Sequence, residues 1–174
     1  MKRVSLLIST ILVIGIVIIF LFIPIFKVFS FTETRTNNPQ LYYINVSNET
    51  SFQFRFTHSI HRTDVLENYK ITNSNKLKLV SMEYEDVSIG MPAYAEEGQS
   101  ITYENGKYKL YFEEKIIDNF TLYVGDVDYD LFILYDGKEY NLKQSLKRGN
   151  SYLFEVTTVS LYDKLKGVLL GYER

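Results

Sequence analysis

Two successive runs between Phe52 and Ile71 constrain the fold more than anything else in the chain. Phe52, Phe54 and Phe56 alternate with Gln53, Arg55 and Thr57, and a second run sets Val65, Glu67, Tyr69 and Ile71 on one parity. A repeat of two residues belongs to a half-buried strand, since a helix would repeat every 3.6 residues. The spacing predicts a hairpin that turns across residues 59–64. His58 continues the parity of the phenylalanines, and Glu67 shares that of its apolar neighbours. The two are therefore expected on the same side, opposite or diagonal, with Cβ atoms about 5–8 Å apart. An imidazole and a carboxylate aimed into a core need partners.

Further strands follow the same logic. Leu41 to Val46 reads as a strand, with Asn48-Glu49 turning before Phe52. Lys76 to Asp86 carries Leu77 and Leu79 on one parity and Val80, Met82 and Tyr84 on the other, a phase change that predicts a bulge. Ser88 to Gly98 contains Gly90-Met91-Pro92 and reads as a loop. Asn105-Gly106 favours a type I′ turn pairing Tyr103 with Tyr108 and Ile101 with Leu110. Asp136-Gly137 does the same for Ile133 with Tyr140 and Leu131 with Leu142. Phe120, Leu122 and Val124 alternate, as do Tyr152, Phe154 and Val156 within 151–161. Leu161, Leu165, Val168 and Leu169 have the spacing of one or two helical turns despite Gly167. The expected fold is all-β, a small antiparallel sandwich or partly closed barrel of about nine strands. An aromatic content of 16% without tryptophan agrees with strands over helices.

Val4 to Phe26 is apolar apart from Ser5, Ser9, Thr10, Gly15 and Pro24. It has the roughly 20 residues a helix needs to cross a bilayer and shows no polar stripe. Lys2 and Arg3 ahead of it keep the N-terminus cytoplasmic by the positive-inside rule. The expected organisation is a cytoplasmic tip and transmembrane helix over 1–30, a polar linker over 31–40, and an extracytoplasmic β domain over 41–174. The partner of Val4 to Phe26 is then the cytoplasmic membrane, crossed once. The competing reading is a signal peptide cut near Ser30, where Val28 and Ser30 form a weak small-residue site between Phe29 and Phe31. Lys2, Arg3 and Lys27 flank the apolar run, so 16 of the 19 basic residues face all 21 acids beyond it, a net −5. No basic stripe offers itself to nucleic acid. The absence of cysteine excludes disulfides, thiolate nucleophiles and Cys-type zinc sites.

His58, Ser59, His61, Asp64 and Glu67 form the main constellation. His58, His61 and Glu67 are the right types for a metal but sit where spacing fixes no convergence. Ser59 beside His58 suggests a hydrolase, yet adjacent strand residues point to opposite faces and no Gly-x-Ser-x-Gly elbow exists. Asp126, Asp128 and Asp130 open like a calcium loop, but Leu131 and Gly137 stand where glycine and glutamate are required. No cofactor is expected. The plain alternative is a buried His–Glu hydrogen bond that fixes a hairpin corner.

Phe54-Arg-Phe-Thr-His58-Ser59-Ile, then Glu67, then Gly90-Met91-Pro92 resemble an uncharacterised bacterial family, domain of unknown function 1850, over roughly Tyr42 to Leu142. His58, Ser59, Glu67, Gly90 and Pro92 match its motif, and with Met91 they form the candidate site for a ligand or partner. Members are often encoded beside TAXI-type subunits of TRAP solute transporters, which implies a binding or accessory role in solute uptake, with a transporter subunit or small solute as partner. The alternatives are a metal-dependent or acid–base hydrolase at His58 and Glu67, and a structural envelope protein.

Overall fold

The alternating runs do form neighbouring strands. The computed structural model describes residues 2–87 and 90–172, without the side chains of 2–9 and 17. Helix α1, Lys2–Phe22, comes first. Strands β1 (Phe26–Glu33), β2 (Leu41–Asn45), β3 (Ser51–Thr57), β4 (Asp64–Ile71) and β5 (Leu77–Tyr84) follow. Next come β6 (Gln99–Glu104), β7 (Lys107–Ile117), β8 (Asn119–Val124), β9 (Leu131–Tyr135) and β10 (Lys138–Asn141). The short helix α2 (Leu142–Ser145), β11 (Asn150–Val159), helix α3 (Leu161–Lys166) and β12 (Val168–Leu169) complete the described chain.

The strands make two sheets, ordered β12-β2-β1-β11-β8 and β10-β9-β3-β4-β5-β7-β6. Every pairing is antiparallel except β12 with β2. Each sheet keeps two edges, so this is a sandwich and not a closed barrel. Its core is largely aromatic. Phe29, Phe31 and Phe154 of the five-stranded sheet meet Phe52, Phe54 and Tyr69 of the seven-stranded one in a single cluster. Phe29 lies 4.8 Å from Phe52 and Phe54 5.0 Å from Phe154, both edge to face. Such pairs contribute about 0.5–1.5 kcal/mol each beyond burial.

Both turn expectations over Asn105-Gly106 and Asp136-Gly137 hold, with positive φ at all four residues and the pairs Tyr103–Tyr108, Ile101–Leu110 and Ile133–Tyr140 in register. Leu131 and Leu142 do not pair, because Asn141 caps α2 and accepts from the Gln144 N–H (3.2 Å). The phase change at Val80 is a register shift between Leu79 and Ser81. Of the loop expected over 88–98, Ser88 and Ile89 lie outside the described residues. Val168 and Leu169, expected in a helix, form β12, because α3 stops at Gly167 and the chain turns to run beside β2.

The N-terminal boundaries differ most. Residues 31–40 are not a spacer, since Phe31 to Glu33 finish β1. Ser30 lies inside that strand, paired with Tyr43 on one side and Glu155 on the other, between the buried Phe29 and Phe31. Only Ile23, Pro24 and Ile25 separate α1 from β1. Taken over the described residues, no helix is long and apolar enough to cross a membrane.

Candidate binding site

Strand β3 ends at Thr57 because the chain turns there. The His58 N–H donates to the Thr63 carbonyl and the Arg62 N–H to the His58 carbonyl, each 2.9 Å, and Arg62 takes a φ of 57°. His58 Nδ1 accepts from the N–H groups of His61 (3.3 Å) and Ile60 (3.4 Å). A ring nitrogen that accepts carries no proton, so neutral His58 is protonated on Nε2. That atom faces Gly90, where a Cβ would lie 3.8 Å from it. Gly90 has φ of 87°, a conformation that favours glycine.

Two further contacts tie the loop after β5 to the hairpin end. The His61 ring stacks on His58 with centroids 4.9 Å apart, and its Nδ1 lies 3.3 Å from Asp86 Oδ2. The Tyr84 hydroxyl donates to the Pro92 carbonyl (2.6 Å), while Met91 packs on the main core. Ser59 is exposed at the tip of the turn. His58, Gly90, Met91 and Pro92 thus belong to one rim, built from two chain segments. Nothing local in the sequence signals the His61–Asp86 or Tyr84–Pro92 contacts, which depend on how the loop folds back.

Glu67 takes a different place. It pairs with Phe54, and His58 lies four residues further along, on the order of 13 Å at ~3.3 Å per residue. The expected His58–Glu67 contact is therefore not made. Parity fixed which face each side chain takes, but closure of the loop at Thr57–Asp64 fixed the register, and that register separates them. The partner of Glu67 is Tyr69, whose hydroxyl donates to Oε2 at 2.9 Å. Burial pushes the Glu67 carboxyl above its usual range, partly offset by that hydrogen bond and by the charge of Lys115. Burial and the neighbouring Glu67 also push the Tyr69 phenol up. His58, His61 and Glu67 do not converge as ligands. Among the described residues no group of three or more His, Asp or Glu is placed to hold a metal ion.

A hollow of about 500 Å³ lies beside the rim, lined by Gly90, Met91 and Pro92 and by Met82, Phe112 and Lys115 of β5 and β7. Met82 pairs with Glu67 and shares its face of the sheet. A larger hollow, about 770 Å³, lies on the outer face of the seven-stranded sheet and contains none of the rim residues. Gln53 Nε2 donates there to Asn68 Oδ1 (2.7 Å) and Asn68 Nδ2 to Ser81 Oγ (3.0 Å). Those polar groups already satisfy one another, so the smaller hollow is the better candidate.

A family model described as domain of unknown function (DUF1850) matches residues 52–142. Comparison with curated proteins and with solved structures gives no match. The matched span runs from β3 to the first residue of α2 and includes His58, Ser59, Glu67, Gly90, Met91 and Pro92.

Proposed function

The chain belongs to the family of domain of unknown function 1850, and from that premise we propose that it is a membrane-anchored recognition domain on the outer face of the cytoplasmic membrane, accessory to solute uptake. Two features support the anchor. Ile11 to Ile14 and Ile18 to Phe20 on α1 are exposed, and so continuous an apolar surface needs a cover. Cutting the chain at Ser30 would also remove the half of β1 that carries the buried Val28 and Phe29, which supports an apolar segment that stays attached. The helix α1 then crosses the bilayer and delivers β1 to the outer side.

The observation that carries the recognition reading is the contact between two separated stretches of the matched span, His58 against Gly90, beside a hollow walled by Met91 and Pro92. A volume of about 500 Å³ falls within the roughly 300–1,000 Å³ of small-molecule sites. Its walls of Met82, Met91 and Phe112 suit an apolar body, and Lys115 supplies a cation at its border. The bound species is a small solute or a side chain of a transporter subunit.

The test is co-purification from membranes of cells that co-express a TAXI-type TRAP transporter. His58→Ala and Lys115→Glu should each lower the captured transporter subunit or solute by about tenfold, corresponding to about 1.4 kcal/mol, while thermal melting stays cooperative. Full capture by both variants would remove the rim from any role in recognition.

A further inference from the structure

Where the described chain ends, an apolar surface stands beside the membrane end of α1. The helix α3 is short but firmly held. Ser160 and Asp163 form a capping box at its start. At its end Gly167 fits so closely that a Cβ would meet the Asp163 and Leu41 carbonyl oxygens at 3.0 and 3.2 Å. Pairing of β12 with β2 and the Leu170 N–H bond to the Tyr43 carbonyl (2.9 Å) fix the chain beyond it.

On this rigid frame the large apolar side chains point outward. Leu161 and Leu165, one turn apart on α3, are exposed, Leu165 at 72%, and so is Leu169 of β12, paired with Tyr43 on the sheet face that α3 covers. Next to them Tyr162 lies 4.9 Å from Phe22, the last residue of α1. Two lysines border the patch on aromatic rings. Lys164 Nζ sits 4.6 Å from the Phe26 ring centre and donates to Asn45 Oδ1 (2.7 Å), and Lys166 Nζ lies 4.6 Å from the Tyr162 ring centre. The acid of this helix, Asp163, is already engaged by Ser160.

We infer that Leu161, Leu165 and Leu169 lie in the headgroup-to-acyl boundary of the bilayer, with Lys164 and Lys166 toward anionic phospholipid, so that the domain rests on the membrane by this face. The inference depends on the reading of α1 as a membrane-spanning anchor. Three things select lipid as the occupant: contact with the end of that helix, a joint of only residues 23–25 that holds the patch at the membrane, and aromatic and lysine side chains of the kind found at the interface. The domain is acidic as a whole, yet this corner has the opposite local sign.

The absence of tryptophan makes a direct test possible. The full chain carrying Leu165→Trp, and separately Tyr103→Trp on the far edge strand β6, is reconstituted in phosphatidylcholine–phosphatidylglycerol vesicles containing brominated lipid. Leu165→Trp should shift to the blue and lose roughly half or more of its emission to bromine near the headgroup, with Tyr103→Trp unchanged. Equal emission of the two variants, while the chain resists alkaline extraction, overturns the seat and leaves the anchor standing. Release of the chain by alkali overturns both. A blue shift without bromine quenching that grows with protein-to-lipid ratio overturns the inference in favour of a second copy.

Discussion

Glu67 places a carboxyl on the core-facing parity of β4, paired with the buried Phe54. Its folded carboxyl titrates above the ordinary 4.5 because burial disfavours the anion. The sign follows from proton linkage. The stability it contributes is fully present below pH 4.5 and is lost as pH rises through the raised folded value. Glu67→Gln should therefore gain on the wild type as pH climbs above about 4.5, read by urea unfolding of the detergent-held chain. A difference that stays flat across that range would contradict the assignment. Tyr69→Phe removes the hydrogen bond that favours the anion. It should cost about 1–3 kcal/mol at neutral pH, as expected when a buried acceptor loses its donor, and should steepen the same pH dependence. Period-two spacing showed that both His58 and Glu67 leave the polar parity. It could not show that Tyr69, two places along the same face, would be the partner of Glu67.

Elements marked by backbone chemistry were the legible ones. Asn105-Gly106 and Asp136-Gly137 demand positive φ, and the hairpins follow from that demand. The strand β1 was hidden. Val28 to Phe31 are buried on both faces, so the run does not alternate, and it merges with the apolar segment ahead of it. The two residues of β12 are too few for any pattern, and only their fit beside β2 makes them a strand. Gly167→Ala should destabilise the domain by about 1–3 kcal/mol, because two backbone carbonyls would have to move. Ser160→Ala should cost about 1 kcal/mol through loss of the cap. Thermal melts of the two variants check both values, and a neutral Gly167→Ala would mean that α3 and β12 shift apart freely.

At the scale of the molecule, the sequence supports one β domain but not the choice between sandwich and barrel, since closure depends on edges far apart in the chain. The aromatic cluster that joins the sheets draws Phe29 and Phe31 from β1 and Phe154 from β11, which pair across most of the chain's length. The domain thus needs its first strand. A chain trimmed to start at Ile25 should melt cooperatively, whereas one starting at Phe31 should show no cooperative transition by circular dichroism. With α1 as the proposed anchor, mass spectrometry of the protein extracted from membranes should find the segment before Phe31 still attached.

The short joint of Ile23, Pro24 and Ile25 bears on how such a protein could work. A domain on a long flexible tether sweeps a wide volume and captures what it meets. With β1 starting three residues after the helix, any tilt or rotation of α1 is passed straight to the middle of a sheet. With α1 as the anchor proposed above, a partner would have to meet the domain within the plane of the membrane.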